Sequence, residues 1–402
     1  MSALSHLKVL DLSRVFAGPW CTQMLADFGA EVVKVEQPGS GDDVRYMGSE
    51  LKDAEGKRTG ERSSFLAMNR NKRSITVDFS HVEGQRLIRR LAERSDVLVE
   101  NFRVGTLARY GLDAPSLMAL NPRLVYCSIS GFGQTGPRRH DPAYDAIFQA
   151  MSGLMSVTGE AEGKPSLVGY SSCDINGGLY AAVAILIALN HRDNGSGLGQ
   201  HIDLSLLDAQ IASMSHLVMN HLVSGEVPRR HGDASAINCP WQAFDCVDQP
   251  LMITIGNNRQ FNILMRLLGL DDLVSSERFA TNATRQQNRD ELIVRISERT
   301  RNYLAAQLQE QLAVAGIAAS PVYDLPRALA DPQVVEREVV REVQHPRAGR
   351  WPIINNPIRL SDTPASYSSA PPLLGEHTEE LLQEILGLDG SECARLKAQG
   401  VI

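Results

Sequence analysis

One acid, Asp174, stands where polar and small residues give way to a long apolar run, VGYSSCDINGGLYAAVAILIAL, with Gly177 and Gly178 within four positions after it. The pattern reads as a loop feeding the first turn of a buried helix. A carboxylate there has two uses. As an N-cap it accepts hydrogen bonds from the unpaired amides of the first turn and sits at the positive end of the helix. As a nucleophile its ionised form is stabilised by those amides, and its glycine neighbours let a substrate approach the backbone. At an unperturbed pKa near ~3.9 it is ionised at neutral pH and needs no general base. Spacing alone leaves both uses open. Cys173, beside it, has no local histidine partner.

Other stretches could hold a ligand. Asn69-Arg70-Asn71-Lys72-Arg73 precedes a strand, and its Arg70, Lys72 and Arg73 form either a phosphate holder or a solvated surface cluster. Asn101 and Phe102 follow a strand directly, at the carboxyl edge where open α/β sheets bind ligands. GFGQTGP, Gly131 to Pro137, is a turn-rich loop. Gly256-Asn257-Asn258, between a strand and a helix, is a flexible lid or an ordinary β-turn. The six cysteines are scattered without CxxC or zinc-type histidine spacing, so no metal site is expected.

The elements that must position these residues are of one kind at the start. LKVLDL is a short strand, Pro19 to Phe28 has helical apolar spacing, and EVVKV is a second strand, which is the βαβ signature of a parallel sheet. The connecting SRVFAGP lacks GxGxxG, which weakens a dinucleotide reading. Further strands are expected at Ser74 to Phe79, Asp96 to Val99, Leu124 to Ser130 and His201 to Leu204, with a helix at Val82 to Arg94 and a loop from Glu36 to Gly60. After Ser224 the character shifts to hairpin-like and then helical material. For 402 residues two domains are expected. The division is a large α/β domain over 1–225, a small domain over 226–324, and a return segment over 325–402.

A formal net charge of -7 argues against nucleic acid or anionic membrane as a partner. The apolar run Leu179 to Leu189 falls short of the ~20 residues of a bilayer span. A strand starting by Leu7 leaves no room for a leader. The chain is expected to be cytoplasmic, with small-molecule partners.

Taken in order, RVFAGPWCTQMLADFGAEVVKVE, NRNKRSITVDF, VENF, SGFGQTGP, YDAIFQAMSGL, Asp174 with its glycines, GNNRQF and PPLLGEHT resemble the class III CoA-transferases of CaiB/BaiF type along the whole chain. IGNNRQF and GIAASPVYD look most like the branch of succinate-hydroxymethylglutarate (glutarate) CoA-transferases. The resemblance implies a Rossmann-like large domain with a parallel sheet built from both chain ends, a smaller inserted α+β domain, and an interlocked homodimer. It implies Asp174 as nucleophile, carrying mixed-anhydride and aspartyl-CoA intermediates, with the CoA thioester as substrate and no further cofactor. It places CoA contacts at Val15, Asn101, Phe102 and Arg109, beside the basic Lys72 and Arg73. Tyr144 matches an active-site tyrosine of formyl-CoA transferases. Phe16 replaces their glutamine, which disfavours oxalate and formate and suits a longer acyl chain. Arg45, Arg70 and Arg73 are the candidates for a remote carboxylate of a dicarboxylic acid, and Gly256, Asn257 and Asn258 are the candidate lid.

Two rivals remain at this level. An α-methylacyl-CoA racemase would pair the acid with a histidine, but that position falls on Tyr144, a poor proton shuttle at neutral pH. A non-catalytic CoA- or nucleotide-binding protein would bind CoA without turnover.

Overall fold

The computed structural model describes residues 2–142 and 144–402. Six strands, β1 (Lys8–Asp11), β2 (Glu31–Glu36), β3 (Lys72–Thr76), β4 (Val97–Glu100), β5 (Val125–Ser130) and β6 (His201–Ser205), form one sheet in the order β3-β2-β1-β4-β5-β6. Every pairing in it is parallel. This is a doubly wound order that reverses direction between β1 and β4, so the crevice beyond their carboxyl ends is the place for a ligand.

The strand sequences alternate two apolar sets. Val9 pairs with Val32 and Val97, while Leu10 pairs with Val33 and Leu98. The twofold period sends the first set to one face and the second to the other. Helices α1 (Ala17–Asp27), α2 (Val82–Ala92), α3 (Ala114–Leu120), α4 (Asp145–Met151), α5 (Ser172–His191), α6 (Leu206–Ser213) and α7 (Ser215–Ser224) follow in the chain. The Val9 face packs on Cys21 and Leu25 of α1 and on Ala181, Ile185 and Ala188 of α5. The Leu10 face packs on Leu87 and Leu91 of α2 and Leu117 of α3.

Glycines let α5 lie close to its neighbours. A Cβ on Gly178 would come within 2.6 Å of the Ala17 carbonyl oxygen, and one on Gly177 within 2.2 Å of Leu206. They serve packing against α1 and α6, where the sequence suggested substrate access. By length and composition alone, Ser172–Ser196 is helical and apolar enough to cross a bilayer. In this fold Ala181, Ile185 and Ala188 are core residues.

A second compact unit comprises residues 155–167 and 227–334, the first comprising 1–154, 168–226 and 335–402. In the second, β7 (Trp241–Asp245), β8 (Pro250–Thr254) and β9 (Ala318–Pro321) make an antiparallel sheet in the order β9-β8-β7. Leu251, Ile253, Leu308 and Leu312 share its core with Phe261 and Leu264 of α8 (Asn258–Leu267). Arg230 ties the 155–167 segment in, donating to the carbonyls of Glu160 and Gly163 at 3.2 and 2.7 Å.

The chain then returns to the first unit as the antiparallel pair β10 (Val340–His345) and β11 (Gly349–Ile354), followed by α9 (Thr378–Leu386) and α10 (Gly390–Ala398). Leu381, Leu382 and Leu396 join the Leu10-face core. The expectation of a sheet strand from each chain end is corrected here: among the described residues all six strands come from the first 205 positions, and the return supplies helices. The expected loop over 36–60 also carries structure, a 3-10 turn at Asp43–Tyr46 and an antiparallel pair, Glu50–Lys52 with Arg58–Arg62. β3 begins at Lys72, two residues before the expected Ser74, where Lys72 pairs with Val32 of β2 and its ammonium meets the buried Asp11.

Candidate active site

Beyond β1 and β4 lies a cavity of about 220 Å³. Its first wall is the turn leaving β1. Val15 there has φ +69°, the left-handed region, where a β-branched residue is rare. Side chains hold this turn. The amide of Ser13 donates to Asp11 Oδ1 at 3.0 Å, that of Arg14 to Asn101 Oδ1 at 2.8 Å, and that of Val15 to Asp42 at 3.0 Å. Lys34 Nζ donates to the Ser13 carbonyl at 2.9 Å, and Asn101 Nδ2 to the Arg14 carbonyl at 2.8 Å. The Asn101 pair bridges the point where the strand order reverses. Phe102 is fixed by its amide donating to Glu100 at 2.8 Å, by an edge-on contact with Phe79 at 5.4 Å, and by the Arg14 guanidinium 5.2 Å from its ring centre.

The second wall carries Asp174. It is not the N-cap. It is the third residue of α5, whose N-cap Ser171 makes no side-chain hydrogen bond. The cap comes from another helix: Asp145, first residue of α4, accepts from the amides of Cys173 at 2.8 Å and Asp174 at 3.2 Å through one oxygen. Its other oxygen accepts from Gln149 Nε2 at 2.6 Å. Those two amides are therefore occupied, so they do not serve as an oxyanion hole for Asp174. The Asp174 carboxyl is pushed up to about 7, first by burial and then by the neighbouring charge of Asp145. This overturns the expectation of an ordinary, fully ionised acid. Cys173 is buried and its thiol is raised to about 12, again by burial first and Asp145 next, which removes it as a nucleophile.

Val15, Phe16, Asn101, Phe102, Tyr144 and Asp174 all line this one cavity. Tyr144 leads into α4 with its ring largely in solvent. Several other candidates lie elsewhere. Arg109 is exposed on the 3-10 turn Leu107–Tyr110, outside the cavity wall. Lys72 is buried against Asp11 at 3.1 Å, which leaves no ammonium for a phosphate. Arg45 is buried too, donating twice to Glu36 at 2.7 Å and stacking on Phe65. Arg70 is paired with Asp27, and Arg73 binds Glu31 and Glu384. All four are corrected as ligand holders for one reason: their charges are matched within the fold. Gly256, Asn257 and Asn258 belong to the second unit. Asn257 caps α8 by accepting from the Gln260 amide at 2.9 Å, the Gly256 amide donates to Gln260 Oε1 at 2.9 Å, and Asn258 accepts from Arg285 at 3.0 Å. They form a fastened helix start, not a loose lid.

The cations that do reach the cavity are Arg14, Arg103 and Arg139, and with Asp145 they are not singled out by sequence pattern alone. A signal existed. Each adjoins a residue or loop already singled out: Val15, Phe102, the glycine-rich loop and Tyr144 respectively.

The arrangement, a perturbed carboxylate in a cleft at the switch point with three guanidiniums on its rim, suits covalent acyl transfer from an anionic carrier. The succinate–glutarate CoA-transferase of Agrobacterium fabrum is 41% identical over 382 residues, 95% of each chain. The succinyl-CoA:glutarate CoA-transferase of Mus musculus is 38% identical over 402 residues, 100% of this chain and 91% of the other. A solved CaiB/BaiF family protein from Brucella suis is 42% identical and superposes with a TM-score of 0.84, covering 96% of this chain and 99% of its own. The profile of CoA-transferase family III matches residues 4–378, and with such relatives along nearly its full length the chain belongs to that family.

Proposed function

We propose that this enzyme moves CoA from succinyl-CoA to glutarate through covalent intermediates on Asp174. The observation that carries the reading is the placement of Asp174 in one cavity with Val15, Phe16, Asn101 and Phe102. The substrate pair is taken from the relatives, whose names state it.

In the first step an Asp174 oxygen attacks the thioester carbonyl of the donor. The carbon–sulfur bond breaks, CoA leaves as thiolate, and a mixed anhydride remains. The thiolate then attacks the Asp174 carbonyl of that anhydride, releasing succinate and leaving an aspartyl-CoA thioester. The acceptor carboxylate runs the same two exchanges in reverse. Each step trades one acyl bond for another, so electrons and protons balance without a redox partner. Asp145 tunes the exchange. Its charge opposes the ionised Asp174, and acylation removes that opposition, which favours the covalent state relative to the free carboxylate.

For the far carboxylate of a dicarboxylic acid, Arg103 and Arg139 replace Arg45 and Arg73 as the receiving groups, since they line the cavity, where Arg14 already lies 3.9 Å from Asp43. The enzyme also works as an interlocked homodimer in this reading. Support comes from an uncovered apolar stripe on α5, Leu179, Val183 and Ile187, and from Met219, Leu222 and Val223 on α7, all more than a third exposed. Six free cysteines fit a reducing compartment, and we place the chain in the cytoplasm.

Asp174→Ala should lower turnover by more than about a hundredfold, or about 2.7 kcal/mol, while CoA binding persists, and hydroxylamine with acyl-CoA should trap an aspartyl adduct in the wild type. Retention of more than that residual activity would exclude the covalent role. Because the attacking form is the carboxylate, kcat/KM for succinyl-CoA should rise with pH and level off above about 7, and Asp145→Asn should move the inflection downward. A profile flat from pH 5 to 8 would contradict this. Glutarate should outperform valerate as acceptor by about fivefold, on the order of 1 kcal/mol, because valerate forfeits an ion pair to an exposed guanidinium at the cavity rim. Equal specificity constants would remove the second-carboxylate site. Analytical ultracentrifugation should show a dimer that persists on dilution, and a concentration-dependent monomer would refute the interlocking.

A further inference from the structure

Ser13, Arg14 and Val15 form a segment whose three amides all donate to side chains, with no backbone partner among the described residues. Two of its anchors come from β2 and the loop after it. Lys34 and Asp42 are wholly buried and paired at 2.9 Å. Lys34 grips the Ser13 carbonyl, and both Asp42 oxygens lie within 3.2 Å of the Val15 amide. Asp42 is itself fixed, since its amide donates to Glu36 at 3.1 Å and its carboxylate caps Val44. An ion pair this deep is no aid to stability that an apolar pair of equal volume could not match. An apolar pair would lack the donor and the acceptor that the two ends of the turn require.

We propose that Lys34 and Asp42 are positioning residues for the acyl-CoA site, their ion pair holding Val15 in its left-handed conformation and so setting the wall that Val15 and Phe16 present to the cavity. Released from Asp42, Val15 relaxes toward the extended region that β-branched residues favour, and the wall shifts. The proposal rests on the reading that this cavity takes an acyl-CoA, so the test begins with CoA binding and adds transfer kinetics on the same preparations.

The variant Lys34→Met/Asp42→Ala removes both charges together and orphans neither. It should raise the Kd for CoA and the KM for succinyl-CoA by about tenfold, leave the KM for glutarate within about twofold, and keep a cooperative thermal transition. Asp42→Asn, which retains one acceptor for the Val15 amide, should lose less. Adding Val15→Gly to the double variant should bring its CoA affinity back to that of Val15→Gly alone, because glycine takes a φ near +69° without an anchor. A merely structural role for the pair gives no such rescue. If the double variant fails to fold, Asp42→Asn with and without Val15→Gly supplies the same comparison. Unchanged CoA affinity in a folded variant, or a loss that Val15→Gly does not recover, overturns the proposal. A wild type that binds CoA but does not pass it to glutarate overturns the reaction reading instead, and the binding measurements still decide the positioning role.

Discussion

Six charged side chains lie buried beneath the carboxyl edge of the sheet, and the active site is built on them. Asp11, Asp42 and Glu36 stand against Lys72, Lys34 and Arg45, so these six balance, and Glu61, 3.8 Å from Arg45, is matched by Arg347 at 3.1 Å. Desolvating a single ion here would be prohibitive, and mutual pairing makes it tolerable. Burial pushes the Asp11 carboxyl up, but Lys72, Lys34 and the hydrogen bonds from Ser13 and Thr22 together outweigh it and hold the group at about 2. Asp11 also accepts from the Thr22 hydroxyl at 2.6 Å, which ties the end of β1 to α1 as well as to β3. The irregular turn between β1 and α1 hangs from this cluster.

The opposite wall shows how a fold and a reaction make different demands. Asp145 caps α5 across space, which steadies the helix, yet it also sets a second negative group beside Asp174. A carboxyl raised to about 7 in the native state binds its proton more tightly than in the unfolded chain. The native state therefore gives up stability as pH rises from the ordinary carboxylate range through about 7. That loss is the counterpart of a more basic nucleophile.

Much of this was legible in the sequence because period and punctuation are local. The βαβ opening, the positions of β4 and β5, and the helix carrying Asp174 follow from alternation and apolar runs. Asn101 and Phe102 were legible as residues at a strand's carboxyl end. The basic cluster was misread because charge matching is tertiary: nothing near Lys72 in the chain announces Asp11, sixty-one positions away, and nothing near Arg70 announces Asp27. The same holds for Asp145, whose neighbours in sequence give no sign that it caps a helix beginning at Ser172. Arg14 and Arg139 are far apart in the sequence, and only the crevice brings them to one site.

Just after α10 the chain reaches into the core of the first unit. Val401 is fully buried, its carbonyl accepts from the Asp78 amide at 2.8 Å, and Leu381, Leu382 and Leu396 complete a core begun by Leu10. A ribosome delivers residues in order, so the Leu10 face of the sheet, covered early by α2 and α3, must wait through about 175 more residues, at roughly 5–20 per second, before Leu381 and Leu382 complete its cover. During those roughly ten seconds or more the part of that face left open depends on transient cover. Loss of α9 and α10 would thus leave that core incomplete, and these two helices act as the latch of the fold as much as a part of the finished enzyme.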